Sequence, residues 1–185
     1  MKKTFWVLMI VLSVSVFANA QGKPFGVIDD FLAKNGGDFD NREEIIKLFN
    51  QERVRLGNNF TGEVWKYLGS DLEKHYWISS FLVDDYYLGG NKPLSDLSLK
   101  IKLRGIELIG NSEELPDLGK KITFLRYLAI ADALAGKKVS AADYKKQAEQ
   151  ILKKFEDVSG FVGAMSEYDY CIYDNLEKDI SGCKP

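Results

Sequence analysis

Apolar residues recur at helical spacing along most of the chain, and the densest stretch runs from Ser70 to Ile109. Leu72, Tyr76, Ser79, Val83 and Tyr86 form one stripe, and Trp77, Ile78, Phe81, Leu82 and Leu88 lie on the other side. This spacing predicts a helix that neighbours contact on several sides, at the centre of its domain. Ser70 and Glu73 read as the Ser-x-x-Glu capping box that starts it, and Gly89-Gly90 as the left-handed backbone that ends it. Pro93 suits the first turn of a second helix. That helix carries Leu94, Leu97, Ile101 and Leu108 on one side and Leu99, Leu103 and Ile106 on another, and Gly110 closes it.

The same layout returns between Lys121 and Phe155. A shift of 46 residues sets Phe81 on Tyr127, Leu82 on Leu128, Val83 on Ala129, Leu88 on Leu134, Gly90 on Gly136, Lys100 on Lys146 and Ile106 on Leu152. Long helix, glycine turn, long helix is the mark of stacked helical hairpins. Leu128-Ala129, Gly136, Ala141 and Ala148 are small or apolar residues where two helices cross. On these positions the second hairpin resembles a degenerate tetratricopeptide repeat. It departs from that family in its longer period, in lacking a closing proline and in the poor match of the first hairpin. The resemblance implies a stack of α-hairpins that binds a polypeptide on a concave face. Its layout would put Arg126 in the groove, and the 46-residue shift would add Trp77, Asp84 and Tyr87. The other reading is that any helical hairpin needs small residues at its crossing.

The flanking segments also read as helices. Residues 21–39 form an N-terminal arm whose Phe25, Val27, Ile28, Phe31 and Leu32 suit one short helix or a packed arm, broken at Gly36-Gly37. Asp40 and Glu43 mark the next start, and Ile45, Leu48, Phe49 and Leu56 carry that helix to Gly57. Thr61 to Leu68 is a shorter helix ended by Gly69. Asn111 to Pro116 reads as a linker, with Asp117 as the next N-cap. Ser140 reads as the N-cap of a helix striped by Tyr144, Ala148, Ile151 and Phe155 and ended by Gly160. A last helix from about Phe161 carries Met165, Tyr168, Ile172, Leu176 and Ile180. Alternating strand patterns do not occur after residue 20. The expected fold is all-α: about seven helices in stacked antiparallel hairpins, an α-solenoid-like bundle, as a single domain over residues 40–185.

The first twenty residues change the picture. Lys2-Lys3, the apolar run Phe5 to Phe17 and Ala18-Asn19-Ala20 together read as a signal peptide cleaved after Ala20. The apolar run falls short of the roughly 20 residues a membrane span needs, and no later run is long enough. The expected location is therefore the periplasm or the extracellular space. Without its first 20 residues the chain keeps 185 − 20 = 165. With 25 − 2 = 23 basic and 27 acidic side chains, its net charge of about −4 gives no general attraction for nucleic acid.

Candidate chemistry is sparse. Cys171 and Cys183, the only cysteines, read as a disulfide in an exported chain. A helix running on to Ile180 would separate them beyond the roughly 6 Å between Cα atoms that the bond requires. Either the helix stops near Asp174-Asn175, or the chain folds back at Ser181-Gly182, or the cysteines stay apart. His75, the only histidine, reads either as a structural group beside Asp71 or as a general base or single metal ligand; no further histidine or cysteine stands near it at zinc-site spacing. Asp84-Asp85 would need a partner such as Glu63, Glu73 or Glu167 to act as paired carboxylates. Tyr168, Tyr170 and Tyr173 offer amphipathic contact area or ordinary packing. Residues 117–157 hold nine basic and six acidic side chains, while the segment from Val158 carries a net of about −3, a polarity able to orient a partner. No phosphate loop, calcium loop or other cofactor motif is present.

These features favour a non-catalytic helical module that binds a protein or peptide. The residues that would serve it are Trp77, Asp84, Tyr87 and Arg126. The rival readings are a small cell-envelope hydrolase using Asp84 or Glu73 with His75, and a purely structural or inhibitory protein.

Overall fold

The structure, a computed structural model, describes residues 22–35, 42–81 and 92–184. The predicted signal peptide, Asp40, Asp84, Asp85, Tyr87 and Gly89-Gly90 lie outside them. Among the described residues every regular element is helical and no strand occurs. Among the described residues there are eight α-helices, the arm contributing one, against about seven expected. The chain divides into two compact units, residues 1–69 and 70–185.

The first unit holds α1 (Gly26–Lys34), α2 (Arg42–Leu56) and α3 (Phe60–Leu68), with a short 3-10 turn at Gly57–Asn59. Its core is aromatic. Phe25 is fully buried, stacks on Phe49 at 5.6 Å between ring centroids and meets Tyr67 at 4.9 Å. Phe25 also adopts a left-handed backbone, φ 60°, which disfavours a side chain by about 1–2 kcal/mol. Two contacts offset this. Its N–H donates to the buried Glu52 carboxylate at 2.8 Å, and its ring fills the space among Phe49, Phe60 and Tyr67. Arg55 grips the same carboxylate at 2.8 and 2.7 Å and, with the Phe25 N–H adding to it, holds the Glu52 carboxyl below its usual range against the effect of burial.

The second unit contains α4 (Leu72–Phe81), α5 (Lys92–Ile109), α6 (Leu115–Leu134), α7 (Lys138–Lys154), a 3-10 segment (Glu156–Phe161) and α8 (Glu167–Asp174). Its central element is α6, which corrects the expectation that the helix after Ser70 sits at the centre. Ile122, Ala129 and Ile130 of α6 are fully buried, and Leu118, Phe124, Leu125 and Leu128 nearly so. This helix packs on α5, α7, α8 and the 3-10 segment. Small residues let the neighbours approach. A side chain at Gly119 would collide with the Phe161 backbone, and one at Gly105 of α5 would collide with the Phe124 ring. Ala141 and Ala148 of α7 are fully buried at the seam, as their small size suggests. Gly136, at φ 76°, makes the turn between α6 and α7. Lys137 N–H bonds to Asp132 O at 2.7 Å and Gly136 N–H to Ala133 O at 3.0 Å, a Schellman ending.

Several predicted boundaries move. The α4 cap is Asp71, whose Oδ1 accepts from the Lys74 N–H at 3.1 Å, not Ser70 with Glu73. Helix α6 begins at Leu115 with Pro116 in its first turn, so Asp117 lies inside the helix and accepts from Ser112 Oγ at 2.8 Å. Ser140 likewise lies inside α7, its hydroxyl on Asp132 Oδ2 at 2.5 Å. Helix α7 ends at Lys154, and the chain runs through the 3-10 segment past Gly160. Helix α8 starts at Glu167, where Ser166 and Asp169 form a capping box, and stops at Asp174. The Asn175 side chain closes that end by donating to Cys171 O at 2.9 Å. The early stop lets the chain return. Cys171 and Cys183 lie at disulfide distance with Cα atoms 5.7 Å apart. Among the described residues no helix is long and apolar enough to cross a membrane.

Candidate functional site

Arg126 stands near the middle of α6, between buried Leu125 and half-buried Tyr127. Its guanidinium lies over the Tyr173 ring of α8, 5.7 Å from the centroid. Lys145 of α7 reaches the same ring at 4.8 Å and donates to Tyr173 O at 2.9 Å. Three helices thus converge on one tyrosine, placing two cations about a π face that attracts them. The Tyr173 hydroxyl is pushed up to about 12 by burial, with the Arg126 charge opposing the rise and Glu149 adding to it.

The hydrogen bonds of this cluster are incomplete. Arg126 Nε, the Tyr173 hydroxyl and Asp169 Oδ1 are all buried without a hydrogen-bond partner. Asp169 and Tyr173 stand one turn apart on α8, and therefore on one face. Lys145 has Glu149 at 3.9 Å, whereas no ion pair joins Arg126 to a carboxylate among the described residues. A half-buried guanidinium whose Nε lacks an acceptor is costly and becomes favourable when a carboxylate arrives, because charge-assisted pairs with arginine are strong and directional.

A second feature flanks the α5–α6 turn: an open cleft of about 510 Å³ facing α7. Leu118, Leu125, Ile151 and Phe155 give it an apolar floor, and Lys121, Gln147, Gln150 and Lys154 supply polar groups. Lys121 donates to Gly110 O at 2.9 Å, and Lys154 pairs with Glu113 at 3.0 Å.

The residues named from sequence fall into different settings. Trp77 is half-buried on α4, its ring edge-on to Tyr76 at 5.3 Å, while Arg126 and Tyr173 form the cluster above. Asp84 and Tyr87 lie outside the described residues. His75 is fully buried, its Nδ1 2.7 Å from Asp71 O. Burial holds its pKa below the ordinary value, helped by Arg104 and resisted by the Asp71 carbonyl. In this position His75 offers no approach to a substrate. Glu73, two residues earlier, is exposed and pairs with Lys120 at 2.5 Å, so the structure does not bring Glu73 and His75 together. Tyr170 is exposed, in contrast to Tyr173. No three potential metal ligands gather among the described residues.

Sequence reasoning missed one cluster. Ser98 and Lys102 of α5 are buried against α4, and Lys102 Nζ donates to Ser98 Oγ at 2.6 Å and to Ser79 O at 3.0 Å. Lys102 sits between Ile101 and Leu103 in a run where a lysine reads as the solvated position. The helix is turned so that Lys102 faces inward and Leu103 is 41% exposed. The serine one turn before the lysine was the available signal.

No protein-family model matches the chain, and neither the curated proteins nor the solved structures yield a match.

Proposed function

We propose that this chain is an exported, non-catalytic helical module that binds a protein or peptide through a carboxylate held at Arg126. The observation that carries this reading is Arg126 itself: stacked on Tyr173, half-buried, with Nε unsatisfied and no intramolecular carboxylate among the described residues. Tyrosine and arginine together make the kind of anchor on which binding energy concentrates. The tetratricopeptide-like layout supports the same face, since it assigns Arg126 to the groove and gives the first hairpin's share to Trp77, Asp84 and Tyr87. Export is supported by the predicted signal peptide and by Cys171 and Cys183 at disulfide distance, a pairing that persists in oxidising compartments.

The test is a peptide array in which each acidic peptide is matched by its amide counterpart. Acidic members should bind wild-type protein, Arg126→Ala should weaken them at least tenfold, and Arg126→Lys should recover part of the loss. Circular dichroism confirms folding of each variant. Equal binding of acid and amide forms, or full retention by Arg126→Ala, overturns the reading. Amino-terminal sequencing of protein recovered outside the cytoplasm should begin at Gln21.

A further inference from the structure

Among the described residues, the α4–α5 seam holds a buried amine with no counter-charge. Lys102 is 2% exposed and Ser98 4%. The lysine's partners are neutral: Ser79 O at 3.0 Å, Ser98 Oγ at 2.6 Å and the face of Tyr127, whose centroid is 5.8 Å away. Ser98 Oγ also donates to Ser79 O at 3.2 Å, so two polar side chains converge on one carbonyl near the described end of α4.

The surrounding ionisable groups among the described residues do not neutralise it. From α4, His75 stands one turn before Ser79 on the same face and is itself buried. From α6, the facing group is Tyr127, while Lys120 is engaged with Glu73 of α4. On α5, Asp96, Lys100, Arg104 and Glu107 are exposed, and Arg104 pairs with Glu107 at 2.8 Å. An ammonium in such a place is strongly disfavoured relative to water, whereas the neutral amine keeps a donor and gains a lone pair that Ser98 can satisfy.

We propose that Lys102 is a protonation-operated joint between α4 and α5: its neutral amine closes the hairpin, and its ammonium loosens it. This is independent of the Arg126 reading. Burial alone lowers the Lys102 pKa to about 7, so the change of state falls near neutrality. The direction follows from linkage. The unfolded chain keeps its proton up to the ordinary lysine value, 10.5, and the folded chain releases it near 7. Between these values the unfolded state binds the extra proton, so stability rises with pH; it is lost as pH falls from 10.5 through 7 and changes little below that.

Nuclear magnetic resonance titration of the Lys102 side chain in the full chain reads the proton directly, with urea unfolding at pH 7, 8 and 9 as the second measurement. The expected midpoint lies within one unit of 7. The unfolding constant should then fall by up to tenfold per pH unit between 7 and 9. Lys102→Met should abolish this slope and be more resistant to urea than wild type at pH 7, while His75→Gln should retain the slope. A Lys102 midpoint above 9.5, or a wild-type slope that survives in Lys102→Met, overturns the proposal.

Discussion

The two helix pairs of the second unit, α4 with α5 and α6 with α7, differ at their seams. Between α6 and α7 the contact is made by Ala129, Ala133 and Ala141 in one cluster, and by Ala148 with Leu118, Ile122 and Leu125 in another. Between α4 and α5 the buried set includes Ser79, Ser98, Lys102 and His75. An apolar seam stabilises through removal of surface from water, at about 25 cal/mol per Å², and carries no proton. A seam with a buried amine sets that gain against the cost of desolvating a charge, and its strength becomes a function of pH. One helix pair therefore forms an inert joint and the other one that responds to its surroundings.

The largest effect expected from breaking the inert joint comes from Ile130→Ala. Ile130 is fully buried in the α6 cluster with Ile172 and Tyr173, and large-to-small changes at such sites cost about 2–5 kcal/mol. Urea midpoints should fall by the same amount at pH 6 and pH 9, because burial keeps Tyr173, the ionisable group named beside it, neutral throughout that range. A loss differing by more than about 1 kcal/mol between the two pH values would erase the distinction between the seams.

The legibility of each seam from sequence follows its chemistry. The alanines of α7 recur with the helical period, and small size at a crossing has one meaning, so Ala141 and Ala148 were placed correctly. Gly136 announced its turn for the same reason. Lys102 was invisible because a lysine between Ile101 and Leu103 fits a solvated stripe as well as a buried one, and a rotation of one residue decides between them. Gly105 and Gly119 were equally silent: each matters through contact with Phe124 or Phe161, neighbours that only the fold supplies. The α4 cap slipped from Ser70 to Asp71 because either oxygen can reach a backbone N–H three residues on, and the sequence does not rank them. Arg126 was reached through the repeat layout. Its stacking on Tyr173 depends on where α8 begins, and the Ser166–Asp169 box sets this point, several residues beyond the helix start expected near Phe161.

Ser98→Ala probes the responsive joint at intermediate cost. It leaves Ser79 O as the remaining hydrogen-bond acceptor on Lys102 Nζ, and an under-satisfied buried donor costs about 1–3 kcal/mol. The loss should be greater at pH 7 than at pH 9, since the neutral amine at high pH asks less of its surroundings. Equal losses would show that the hydroxyl serves only its bond to Ser79 O. His75 adds a separate acid limb. Burial, with Arg104 beside it, holds its folded pKa below 6.5, so the unfolded chain takes up the proton first. Stability therefore begins to fall as pH drops through 6.5, continuing toward the lower folded value. Unfolding of wild type and His75→Gln between pH 4.5 and 6.5 should show a shallower acid slope in the variant; superimposable slopes would assign the acid limb to other groups.

The smallest effect tests whether the inert seam also depends on a polar clamp. Ser140 Oγ donates to Asp132 Oδ2 at 2.5 Å and lies 3.3 Å from Lys137 O, across the α6–α7 turn. Lys137 Nζ holds the other Asp132 oxygen at 3.4 Å. Unlike the Ser98 group, this one is at the surface end of its helices, where water can replace a lost partner. Ser140→Ala should therefore cost about 0.5–1.5 kcal/mol, the net worth of one hydrogen bond, with no change between pH 6 and 9. The Schellman bonds and the buried alanines remain in the variant, so the turn should keep its shape by nuclear magnetic resonance. A loss above about 3 kcal/mol, or one that varies across that pH range, would show that the second hairpin too is held by a charged network rather than by its alanine seam.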